Sequence, residues 1–313
     1  MKKLDSSAFS EIRNWIYRNA RPLELSLWKY HFENGSKDAV LHNLAFYQNS
    51  DGGFGNALEA DCWNPNSSPY TTTYAMSILE NIDFSDTEHP MMRGITKFFE
   101  SGSYSSENGW LFNIPTNNDH AHAPWWTYDE KVNQIESIGV TAKIVSFIFK
   151  YVNFETELYQ KAIGIAQNII NMITSNDNHG DMGIYGYCVL AETIKQVGLT
   201  NIINSDNLTE NIRKLVSDSI ERDTSKWLYY GVRPSNYITS SSSDFYQDNI
   251  KIVQMELDYL IDTRPQDSVW GITWSWFEYN EKYAKEFAIS ENWWKASKAI
   301  EKLIFLKNFG RMD

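Results

Sequence analysis

The sequence predicts an all-α protein, folded as an α/α toroid of five or six helical hairpins. Three observations carry that expectation. Apolar residues recur at helical spacing along most of the chain. The helical stretches are repeatedly punctuated by a glycine beside aromatic residues, near positions 53, 109, 183, 231 and 271. No segment shows the strict alternation of a half-buried strand. A helical hairpin has one apolar face that needs a neighbour, so successive hairpins should stack until they close. The turns are spaced by roughly 40 to 75 residues, too irregular for a solenoid of identical units but acceptable in a ring of diverged hairpins. Residues 1–313 are read as one domain.

In order, Phe9, Ile12, Trp15 and Ile16 mark a short first helix. Pro22 can open a second at its first turn, continued by Leu23, Leu27, Tyr30 and His31 and ended at Asn34-Gly35. Ser36 caps a third, whose stripe is Val40, Leu41, Leu44, Ala45 and Gln48. Pro69 opens the next, with Ala75, Ile78, Leu79 and Ile82 on one face. Further helices are expected at 91–99, 133–151, 156–173, 184–197, 208–220, 250–261 and 293–309, about eleven in all by periodicity. Asn178 to Gly183 reads as a glycine-rich turn before one of them.

Net charge is −12 and the isoelectric point near 5.0. No dense Lys/Arg run exists, which argues against nucleic-acid binding. No run reaches about 18 apolar residues, so no membrane span is expected. Met1-Lys2-Lys3 is not followed by an apolar segment, so no signal peptide is expected and the protein is read as cytoplasmic. Cys62 and Cys188 make no disulfide scaffold. The expected state is a monomer or weak homodimer without a cofactor or metal. The chain holds 12 Trp, 18 Tyr and 16 Phe, a load that suits either a core of large side chains or an aromatic-walled cavity for a small-molecule ligand.

The chain is organised around Gln48-Asn49-Ser50-Asp51-Gly52-Gly53-Phe54-Gly55 and the polar run that follows to Thr73. Glycines here can take positive φ or admit a close backbone approach, so Gly52 and Gly53 should not tolerate large side chains. Gln48, Gly52 and Phe54, with Leu44 four residues before, resemble a degenerate glutamine-tryptophan repeat of the squalene and hopene cyclases. Phe54 stands where tryptophan is usual, and Asn43 where an aromatic is usual. The whole chain is similar to single-toroid members of the terpenoid cyclase and protein prenyltransferase superfamily. The run from Gly53 through Glu59, Asp61, Asn64, Pro65, Asn66, Ser67 and Ser68 looks like a group of bacterial prenyltransferase-like proteins. The resemblance implies a toroid with a central pocket, and carries no chemistry with it. The Asp-x-Asp-Asp and Asp-Asp-x-x-Asp motifs of the cyclases and synthases are absent. Asp61-Cys62 is adjacent, where the zinc site of prenyltransferases has one residue between Asp and Cys.

Two polar-aromatic loops are the candidate site. Glu59 and Asp61 lie two residues apart. In a dry pocket their repulsion could raise one pKa and make an acid; the alternative is that each caps a helix or accepts loop N–H groups. Asn64 to Pro69 reads as turn and cap chemistry. In the second loop His120 and His122 have ligand-like spacing, with Asp119 beside them. Metal binding, acid–base work and a structural role are all open to them. Asp61, Glu59, His122 and His120 are the catalytic candidates. Trp63, Trp125 and Trp126 are candidate substrate walls, with Asp181, Asp244, Trp270 and Trp274 as further binding residues. Cys62 is a poor nucleophile, because its acidic neighbours disfavour the thiolate. The leading expectation is an enzyme on a small hydrophobic, terpenoid or prenyl substrate. The alternatives are a carbohydrate-active (α/α) barrel using Glu59 with Asp61 or Asp181, and a catalytically silent ligand-binding scaffold.

Overall fold

The computed structural model describes residues 1–203 and 207–313. The protein is all-α among these residues, with twelve α-helices, short 3-10 turns and one minimal hairpin. The chain forms two compact units, Met1–Leu44 with Val216–Asp313, and Ala45–Leu215. Among the described residues no helix is long and apolar enough to cross a membrane.

The first unit contains α1 (Ser6–Asn19), α2 (Pro22–Phe32), α3 (Lys37–Ala45), α10 (Tyr246–Asp262), α11 (Tyr279–Lys282) and α12 (Ala284–Asn308). The Asp5 carboxylate accepts the Ala8 N–H and starts α1. Pro22 sits in the first turn of α2, and Asn34 at φ +56° leads the chain out of it. Ile12, Ile16, Trp28, Leu257, Ala299, Ile300 and Leu303 share one core. The chain ends pair: Leu4 N donates to Arg311 O at 2.8 Å and Asp313 N to Leu4 O at 3.1 Å. Arg21 and Glu24, both buried, form a two-pronged ion pair with bonds of 2.8 and 2.6 Å.

The second unit contains α4 (Pro69–Asn81), α5 (Pro90–Glu100), the hairpin β1 (Ser105–Ser106) and β2 (Gly109–Trp110), α6 (Glu130–Tyr151), α7 (Glu157–Ser175) and α8 (Gly180–Val197), and α9 (Leu208–Ser219) begins in it. Its axis is α6, buried on most of its circumference from Ile138 to Phe149. A helix apolar all round belongs inside. α4, α7, α8 and β2 pack against it. The α6–α8 crossing is made by glycines: a Cβ on Gly186 would lie 2.8 Å from Gly139 Cα, and one on Gly139 2.5 Å from Met182 O. This corrects the turn expected over Asn178 to Gly183. The turn is confined to residues 178–180, where Asn178 Oδ1 accepts the Gly180 N–H at 2.9 Å and Gly180 takes φ +68°; α8 starts there and Gly183 is helical.

Candidate functional site

The glycine stretch folds as a clamp. Gln48 Nε2 donates to Gly52 O at 2.9 Å and to Met91 O at 3.0 Å, tying the turn to the start of α5. Gly52 takes φ +93°, and a Cβ there would stand 2.0 Å from Gly94 O. A Cβ on Gly53 would stand 2.6 Å from Ser67 Cβ and 2.8 Å from the Phe98 ring. Phe54, fully buried, bridges Gln48 on one side and Ser68 on the other, and its N–H donates to Thr72 Oγ1 at 3.0 Å. Ser68 caps α4 by accepting the Thr71 N–H at 3.0 Å. The clamp therefore fixes both ends of the loop that carries Glu59 and Asp61.

The two polar-aromatic loops meet. Trp63 N donates to Ala121 O and Ala123 N to Asp61 O, both at 2.8 Å, so Cys62 faces His122 as an antiparallel pair. A pair of this kind is not itself hydrogen-bonded, and its side chains come closest. Asn64 strengthens the junction, donating to Thr116 Oγ1 and Asn117 Oδ1 at 2.9 Å each. Asn117 Nδ2 in turn donates to Trp126 O at 2.9 Å. Amide side chains thus do the turn work expected of Asn64 to Pro69, and carry it across to the second loop.

Three ionisable groups are sealed at this junction: Glu59 is 3% exposed, Asp61 1% and His122 3%. Glu59 Oε2 accepts the Asp61 N–H at 2.9 Å, so it orients the peptide of its neighbour. His122 Nδ1 lies 2.7 Å from His120 O, an acceptor only, so Nδ1 carries the proton. Its Nε2 lies 3.1 Å from Thr127 Oγ1. His120 is half-buried and contributes its carbonyl to this arrangement. Among the described residues no group of three His, Cys, Asp or Glu is arranged to hold a metal ion. The Cys62 thiol is pushed up to about 12, chiefly by burial and then by the charge of Glu59, with Asp61 adding to it. It stays a thiol and points its weak donor at Asn117 Oδ1, 3.6 Å away.

Aromatic side chains of α4 and of the segment after β2 cluster together. Trp126, buried, stacks on Phe112 at 4.8 Å and 28°, and Tyr70 lies 4.4 Å from it. Among the described residues the Trp126 Nε1–H has no hydrogen-bond partner. Trp63 and Trp125 are half-buried, and the Trp63 indole N–H donates to Ala60 O at 3.1 Å. Sequence reasoning missed Tyr70 and Phe112; their place next to Trp126 depends on how the loops fold. An open cleft of ≈ 540 Å³ in the same unit is lined by Asn49, Asp51, Asn56, Asn66, Ser67 and Tyr104 among others, none of them a predicted site residue.

The remaining predicted residues lie outside the two loops in sequence. Asp181 is exposed in the first turn of α8, its N–H held by Glu136 Oε2 at 3.0 Å. Asp244 is exposed in the first unit. Trp270 belongs to the core of that unit, with its indole N–H on Leu260 O at 2.9 Å. Trp274 is half-buried there and lies edge-on to Trp294 at 5.5 Å.

No protein-family model, no curated protein and no solved structure matches this chain.

Proposed function

We propose that the chain is an α/α toroid of the terpenoid cyclase and prenyltransferase-like kind, an enzyme that works on a small apolar substrate at the joined loops. The observation that carries this reading is the burial of three ionisable groups, Glu59, Asp61 and His122, in the joined loops. Removing a carboxylate from water costs on the order of several kcal/mol. A loop built only to reverse the chain could cap with serine and asparagine, as Ser68 and Asn64 do here. In this reading Asp61 is the acid or anchoring carboxylate. Glu59 fixes the Asp61 peptide, and His122, held by His120 O and Thr127, moves a proton. Tyr70, Phe112 and Trp126 exclude water and face the apolar body of the substrate. The Gln48 clamp and the pairing of the chain ends support the toroid.

The test is turnover of isoprenoids. Farnesol, farnesyl diphosphate and squalene are incubated with the protein, and products are read by gas chromatography with mass spectrometry. Asp61→Asn should abolish product while the melting temperature changes little. Full turnover by Asp61→Asn, or no conversion of any of the three by folded protein, would refute the reading. A carbohydrate-active enzyme is the second reading. The open cleft favours it, because its amides, carboxylate and Tyr104 ring suit sugar hydroxyls and a pyranose face.

A further inference from the structure

We propose that the open cleft of the second unit binds a short neutral sugar without cleaving it, with a pyranose face on Tyr104 and its hydroxyls on Asp51, Asn56 and Asn66. The proposal does not depend on the isoprenoid reading of the loop junction. It takes the same cleft as the second reading, and asks of it binding alone.

The cleft encloses ≈ 540 Å³, within the range of about 300–1,000 Å³ for small-molecule sites. One wall is the clamp loop and the other is the segment after α5, with Ser103 and Tyr104. Both walls are tied to α5. Gln48 Nε2 holds the Met91 carbonyl at 3.0 Å, and the Ser101 hydroxyl donates to Phe98 O at 2.6 Å and to Ser103 Oγ at 2.9 Å. Within the clamp loop Asn49 Nδ2 donates to Pro65 O at 2.9 Å and to Ser67 Oγ at 3.0 Å. The cleft is therefore built without a ligand, and binding has little chain to order.

Its lining selects the ligand. Asp51 is the one charged group among the described residues that line it, and no lysine, arginine or histidine is there. With a net charge of −12 on the chain, such a lining repels anions. Asp51 Oδ1 accepts the Gly53 N–H at 3.0 Å and the Ser67 hydroxyl at 2.7 Å, which leaves Oδ2 open. Asn56 donates one amide N–H to Asn49 Oδ1 at 3.1 Å, and Asn66 one to Asn64 Oδ1 at 3.0 Å. Each of these two amides keeps its oxygen and a second N–H for a ligand. A cation would use only the oxygens. Hydroxyls donate and accept, so they match both halves of the amides. The fourth group is Tyr104, half-buried and held at φ +55°, a conformation uncommon for an aromatic residue. Among the described residues its phenol makes no hydrogen bond and its ring meets no other aromatic ring, so a ring face and a polar tip are both available. Most glycosidases cleave with a pair of carboxylates. This lining holds Asp51 alone, so the cleft is suited to holding a sugar and not to hydrolysing it.

The probes are glucose, galactose, mannose, N-acetylglucosamine, maltose and cellobiose, each mixed with the full chain and read by saturation-transfer NMR, with Kd from titration. At least one should receive saturation, strongest on its ring C–H protons. Tyr104→Gly and Asn56→Gly remove one side chain each at positive φ, which glycine takes freely. The first should weaken binding about tenfold, the second about two- to tenfold. Ethylammonium, a cation with donors and no acceptor, should not displace the sugar. No saturation of any of the six by folded wild-type protein would overturn the proposal. So would an unchanged Kd in both folded variants, or displacement of the sugar by equimolar ethylammonium. Glucose released from maltose or cellobiose would overturn binding without cleavage and favour the second reading.

Discussion

Replacing Gly52 by alanine tests the clamp at the residue with least room. Gly52 sits at φ +93°, a conformation that an L side chain adopts at a cost of about 1–3 kcal/mol. The added Cβ would stand 2.0 Å from Gly94 O and 2.5 Å from Gly94 C. Both are backbone atoms of α5, so no rotamer change relieves the clash. Moving the turn off α5 would also stretch the two bonds of Gln48. Overpacking of this kind costs about 1–3 kcal/mol, which brings the expected loss to about 2–6 kcal/mol. At about 2–4 °C per kcal/mol for a unit of this size, the melting temperature should fall by roughly 5 to 20 °C. Gly164 is the control in the same unit. It lies in α7 with nothing within 4 Å of its would-be Cβ. Gly164→Ala should stabilise by about 0.5–1 kcal/mol, since alanine loses less entropy in a helix. Calorimetric scans of the two variants decide the matter. If Gly52→Ala melts with the wild type, the turn is not held against α5 as described.

Three further outcomes are expected. Gln48→Leu leaves the Gly52 and Met91 carbonyls without their side-chain donor and should cost about 1–3 kcal/mol, read as a shift in urea midpoint at constant slope. Both thiols are raised to about 12, chiefly by burial, so native protein at pH 8 should resist iodoacetamide at Cys62 and Cys188, and denatured protein should take up label at both. Lys143 bonds Ser77 Oγ at 2.7 Å, and burial lowers its ammonium to about 8, against 10.5 when unfolded. Between those values the unfolded chain binds more protons, so stability rises with pH across that window, and the full penalty applies below it. Lys143→Met should therefore raise the urea midpoint at pH 7 and flatten its rise toward pH 9.

Local signals reached the helices and stopped at the contacts between loops. Pro22, Pro69 and Ser68 mark helix starts because capping and proline geometry act within one turn of chain. The glycines of α8 misled for a physical reason. Gly183 looks like turn punctuation, yet a missing Cβ also lets a helix approach another closely, as Gly186 does at Gly139. The meeting of Asp61 with Ala123 and of Trp63 with Ala121 is made by backbone groups, which every sequence has, so no residue pattern announces it. The carboxylates were visible as a spacing, but their burial was not.

Mass spectrometry of small molecules released from natively purified protein shows whether the junction of the two loops holds a small apolar molecule, as proposed. Wild-type protein should release an apolar compound in an amount comparable to the protein. Asp61→Asn, at an unchanged melting temperature, should release far less of it. Recovery of nothing from wild type and variant alike, or of the same compound in the same amount from both, would contradict the claim.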